Sequence, residues 1–230
     1  MQDIASAVDI DPILAAPYRR SRIAQSAKNP VKSTPETHHT HPWRVHTLAP
    51  DFELLDVWRF ELRLDEGHGF DEFLATYWEA IHTIESSPLS KLRSMIGRIV
   101  GWDDAAKSLP IPGCTERTVA ERLDAADHAR NLFPVNEPCP LPVAHLKPVY
   151  RFEDEVLYEV SNATVHALMH VSCAPGESPL LAVYIKSRGV FTRLYMAAIW
   201  PARHAVIYPS LMSKVERGWR TRLQGSARPV

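Results

Sequence analysis

The chain has 230 residues, 45% hydrophobic and 23% charged, with a net charge of −1 at pH 7. That composition is globular, and the length suits one domain able to bury roughly 70% of its unfolded surface without staples. A near-zero charge excludes a general nucleic-acid or anionic-membrane binder, which needs a basic excess. Nine glycines against nineteen prolines leave little material for phosphate-cradling loops. Cys114, Cys139 and Cys173 lie far apart with no C-x-x-C between them, so a zinc ribbon or thioredoxin-like site is out.

Residues 1–42 read as a flexible tail, rich in Ala, Ser, Thr and Pro with no sustained period. Order is expected from Trp43. Over 55–64, Trp58, Phe60, Leu62 and Leu64 alternate with Arg59, Glu61 and Arg63, the pattern of a half-buried strand. The period then becomes helical, with Phe70, Phe73, Leu74, Tyr77, Trp78 and Ile81 on one stripe. Ser87 and Pro88 open a second helix whose stripe is Leu89, Leu92, Met95, Ile96, Ile99 and Val100. Residues 103–148 are broken by seven prolines and read as a long loop with one short helix over 116–124. Strands are expected over 149–152, 156–160, 165–171 and 180–185, joined by turns short enough for an antiparallel meander. A C-terminal helical stripe runs from Phe191 to Trp219, with Pro201 and Pro209 as expected kinks. Residues 223–230 read as a second tail.

Strand, two helices, long loop, clustered strands and a long last helix predict an α+β fold. The arrangement expected is a helix-grip: residues 43–222 forming an antiparallel sheet curled around the C-terminal helix, with space for a cavity between them. The longest uncharged stretch, over 160–176, is too short and polar to span a bilayer. Sparse cysteines and no signal-peptide pattern suggest a cytoplasmic setting.

Four runs carry a family resemblance: Glu153-Asp154-Glu155-Val156-Leu157, Val183-Tyr184-Ile185-Lys186, Arg193-Leu194-Tyr195-Met196 and Pro201-Ala202-Arg203-His204. With residues 50–58 upstream, the chain resembles the bacterial DUF2867 family over about 43–219. The resemblance implies the START-like SRPBCC superfamily, whose members hold apolar ligands in a cavity and in some cases act as cyclases.

The candidate site residues are Trp58, Tyr158, His166, His170, Lys186, Arg193, Tyr195, Arg203 and His204. Aromatic rings offer apolar contact. The basic group could meet an anionic ligand, and an arginine fork gains charge-assisted bonds that lysine reproduces poorly. His166 and His170 lack the Glu of H-E-x-x-H. On a strand they stand about 13 Å apart, too far for one metal. His38, His39, His41 and His46 read as a solvated linker, and Glu159 as a surface residue. No metal site or cofactor is expected, and no nucleophile elbow, dinucleotide fingerprint or Walker loop occurs. The expected partner is an apolar or amphipathic small molecule. The alternatives are a cofactor-free cyclase or isomerase using His and Glu, and an interaction module built on the basic C-terminal helix.

Overall fold

The computed structural model describes residues 31–33, 35–64, 68–85, 117–133, 146–161, 165–187 and 190–226. The helix expected over 88–100, and most prolines of 103–148, lie outside them. The described elements are β1 (Val31–Ser33), α1 (Pro35–His39), α2 (Arg44–Leu48), β2 (Glu53–Arg59) and α3 (Phe70–Glu85), then a 3₁₀ turn (Ala120–Arg122) and α4 (Ala125–Arg130). Next come β3 (Leu146–Arg151), β4 (Glu155–Ser161), β5 (Val165–Ser172) and β6 (Leu180–Ser187). The chain closes with α5 (Val190–Ala202), a π-helical turn (Arg203–Ile207) and α6 (Tyr208–Ser226).

The fold is α+β, with all six strands antiparallel in the order β1-β2-β6-β5-β4-β3. Strand alternation gives the sheet two different faces. On the helix side, Trp58, Val156, Tyr158, Val171 and Leu181 meet Phe73, Tyr77 and Trp78 of α3 and Met212, Val215 and Trp219 of α6. On the other side, Val57, Leu157, Leu168, Ala182 and Tyr184 meet Trp43, Val45 and Leu48 from a strap over 35–48, and Val119. At the helix crossing, a Cβ on Gly218 would sit 2.9 Å from Thr76 Cγ2, so glycine permits the approach of α6 to α3. Gly176 takes φ +76° in the β5–β6 turn, a conformation L side chains rarely adopt.

Several expectations are corrected. Order reaches upstream of Trp43, because β1 pairs with β2 and His38 is wholly buried. The strand expected over 55–64 ends at Arg59, where its partner strand begins at Leu180 after Pro179, which has no N–H to extend the ladder. Phe60 still donates its N–H to the Pro179 carbonyl at 3.0 Å and is fully buried. The short helix near 116–124 is instead a 3₁₀ turn followed by α4, whose N-cap is Asp124. There Asp124 and Asp127 form a reciprocal capping box. Pro201 does not break the C-terminal helix. It lacks a donor and crowds the preceding turn, and the backbone widens into the π turn directly after it. Pro209, the second residue of α6, follows directly on the π turn of the same continuous helix, in which the Tyr208 N–H reaches back to the Arg203 carbonyl.

Candidate functional site

The π turn brings three of the predicted residues together. In β2 the register slips between Leu54 and Asp56, a bulge that sets the aim of Asp56, which is 2% exposed. Its carboxylate accepts from Arg203 Nη2 at 2.5 Å through Oδ2 and faces His204 Nε2 at 2.9 Å through Oδ1. The other ring nitrogen of His204 faces the Trp200 carbonyl at 3.0 Å. Both ring nitrogens thus face oxygen atoms of the protein.

Aromatic rings frame this ion cluster. Trp200 stacks on His204 at 4.6 Å, Trp58 lies 5.6 Å from His204 and 4.8 Å from Tyr208, and the Arg203 guanidinium sits 5.8 Å over Tyr208. Burial pushes the Tyr208 hydroxyl well above its ordinary range, and neighbouring Asp56 adds to that while Arg203 opposes it. Two buried donors are left over: Arg203 Nε and Trp58 Nε1 have no hydrogen-bond partner among the described residues.

The other predicted residues lie elsewhere. Tyr158 packs against Trp78 and Phe133 on the helix side. Arg193 and Tyr195 lie on α5, with side chains outside the described ones. Lys186 pairs with Asp51 at 2.9 Å. His166 and His170 share the covered face of β5 and both are buried. His166 Nε2 meets Glu159 Oε1 at 2.5 Å, and both Glu159 oxygens accept the Val119 N–H, at 2.9 and 3.1 Å. Glu159 is 1% exposed, so its expected surface position is corrected.

His170 Nε2 meets Glu155 Oε2 at 2.8 Å, which also accepts from the Tyr150 hydroxyl at 2.7 Å, while Oε1 accepts the Arg44 N–H at 3.1 Å. Burial pushes the Glu155 carboxyl up, but these bonds outweigh it and hold it below its ordinary value. The histidine run is not a solvated linker throughout: His39 is exposed and His41 and His46 are half-buried, but His38 is not in solvent. His38 is 0% exposed, its Nε2 lies 2.9 Å from His170 Nδ1, and its Nδ1 lies 3.1 Å from both His46 Nε2 and the Tyr184 hydroxyl.

Sequence reasoning missed Asp56, Tyr208, His38 and Glu155. Only Asp56 left a signal, an acid in place of an apolar residue on the inward face of a strand. Among the described residues, no group of three or more His, Cys, Asp or Glu side chains is placed to hold a metal ion. Among them too, no helix is long and apolar enough to cross a membrane.

A sequence model of DUF2867, described as a protein of unknown function, matches residues 48–210. The chain belongs to the DUF2867 family. No curated protein and no solved structure matches it. The DUF2867 match takes in Asp56, Trp58, Arg203, His204 and Tyr208, and it begins after His38, Arg44 and His46.

Proposed function

We propose that this DUF2867 protein has a helix-grip fold and binds a small amphipathic molecule with an anionic oxygen head at the Asp56–Arg203–His204 junction. The first long strand lies beside the last and the terminal helix packs on one face of the sheet, which supports the helix-grip reading. The observation that carries the binding reading is the pair of buried, unpartnered donors, Arg203 Nε and Trp58 Nε1, bordering one ring, that of Tyr208. An unsatisfied buried donor costs about 1–3 kcal/mol, which a ligand oxygen accepting from it recovers. The Arg203 guanidinium carries charge and its Nε and the Trp58 indole N–H both donate, so a carboxylate is the matching head group.

Deeper between sheet and helix, the space is taken by Tyr77, Met212 and Val215, all 0% exposed. The ligand therefore belongs at the rim, its apolar part against Trp200, 53% exposed, and Met196, whose Sδ lies 3.8 Å from Arg203 Nη1. Acid–base turnover is the less favoured reading. The two buried His–Glu pairs stand on the opposite face, bonded to each other and to the protein.

Calorimetric titration with decanoate against decanol tests the proposal, with native mass spectrometry of fresh protein to detect a retained ligand. The expected result is binding of decanoate and not decanol, weakened about tenfold in Trp58→Phe, which removes only the indole donor; tenfold corresponds to about 1.4 kcal/mol. Equal binding of both would remove the anionic head from the proposal. No heat from either, at the bare chain mass, would overturn it.

A further inference from the structure

The strap over 35–48 is pinned to the covered face through one buried ring. His38 touches something titratable on almost every element around it: His39 beside it on α1, His41 in the next turn, His46 on α2, His170 on β5 and Tyr184 on β6. Behind His170 stand Glu155 on β4 and Tyr150 on β3. Arg44 of the strap is already matched by Asp124 and Asp127 at the start of α4, at 3.0 and 2.6 Å. Asp154 is the other nearby acid and acts on His41.

The hydrogen bonds in this cluster have a direction. The Glu155 carboxylate accepts, so His170 Nε2 donates to it, and a neutral His170 then accepts at Nδ1. His38 Nε2 donates to that nitrogen, and the single lone pair of His38 Nδ1 is left to accept, with the Tyr184 hydroxyl and His46 Nε2 both 3.1 Å away. A further proton on His38 would turn its acceptor into a donor facing His46. It would also add charge beside four histidines, where the Glu155 oxygens already accept from His170, Tyr150 and Arg44. Burial, then the neighbouring histidines, hold the His38 pKa down to about 2, and burial lowers that of His46 as well.

We propose that His38 is a proton-sensitive latch, and that mild acid releases the 35–48 strap from the sheet while the helix side stays packed. The docked strap keeps His38 neutral, whereas a released strap protonates it near its ordinary value of 6.5. The lowered value therefore leaves docking unaffected above about pH 6.5 and opposes it increasingly below, by about tenfold in the docking equilibrium per pH unit for this ring. The two strap helices have five residues each, too short to persist without the sheet. Burial of Trp43, Val45 and Leu48 opposes release and delays it below the pH at which the histidine penalty begins.

Hydrogen exchange of the full chain at pH 7 and pH 5, expressed as protection factors, tests the latch. At pH 5 the 35–48 amides should lose at least tenfold in protection while those of α3 and α6 keep theirs. His38→Gln, which cannot charge, should flatten that difference. Equal loss in all elements, unchanged strap protection, or full pH dependence in His38→Gln would each overturn the proposal. Should the Gln variant leave the strap open already at pH 7, the wild-type comparison decides alone.

Discussion

The two faces of one sheet solve opposite packing problems. On the helix side, large apolar rings fill the core, with Phe73, Tyr77 and Phe60 in edge and tilted contacts, and polar chemistry is confined to the rim at Asp56. On the strap side, the same strands bury Glu155, Glu159, Ser161, His166, His170 and Ser172. That face is stable only because each buried carboxylate finds donors from other segments: Val119 for Glu159, and Arg44 and Tyr150 for Glu155. The helix side rests on area and tolerates approximate partners. The strap side rests on specific bonds and fails when one donor is lost or one proton is added.

The sharpest way to break this contrast is at the rim of the apolar face. Asp56→Ala leaves Arg203, 8% exposed, without its carboxylate. The expected loss is about 3–5 kcal/mol in urea unfolding, the range for breaking a buried pair from one side. Adding Arg203→Met to that background should return part of the loss, since no buried charge then remains. A single-variant loss below about 1 kcal/mol would show that water reaches the cluster and that its polar groups are not truly buried.

A smaller effect is expected on the covered face. Glu159→Gln keeps one acceptor oxygen but sets an amide N–H₂ against the Val119 N–H or His166. The expected loss is about 1–3 kcal/mol. It should be local, with exchange rising first over 117–123, the segment that Val119 ties to the sheet. Uniform loosening of both faces would contradict the separation drawn between them.

How much of this was readable in advance follows the same divide. Alternation in β2, β4 and β5, the continuous apolar run of β6 and the 3.6-residue stripe of α3 are local signals, and they predicted the elements that build the helix-side core. The site at the π turn was half legible: Trp58, Arg203 and His204 stood out by residue type, but Asp56 became their partner only through antiparallel pairing and a bulge. The covered face was not legible. The partners of His170 and Glu159 lie 132 and 40 residues away, and nothing local distinguishes a polar residue buried with a distant donor from one facing water. The histidine run misled for the same reason, since composition reports solubility and not the presence of a receiving face.

The smallest expected effect separates the latch from ordinary surface electrostatics. Asp51 binds Arg122 and Lys186 at the edge of the covered face, and the Arg122 bond, aided by Lys186, holds its carboxyl below the usual range. The side chain is 36% exposed, so Asp51→Asn should cost less than about 1 kcal/mol, and high salt should shrink that further. The sign and window differ from those of His38. A depressed carboxyl contributes above its unfolded value near 3.8 and loses that contribution only as pH falls below it. Between pH 6.5 and 5, Asp51→Asn should therefore leave the strap's acid sensitivity intact, because at that pH the carboxylate is charged in both docked and released states. If the variant instead removed the sensitivity, the strap would be held by its rim of ion pairs, and the histidine cluster would lose its role as the feature that makes one face of the sheet respond to acid and the other not.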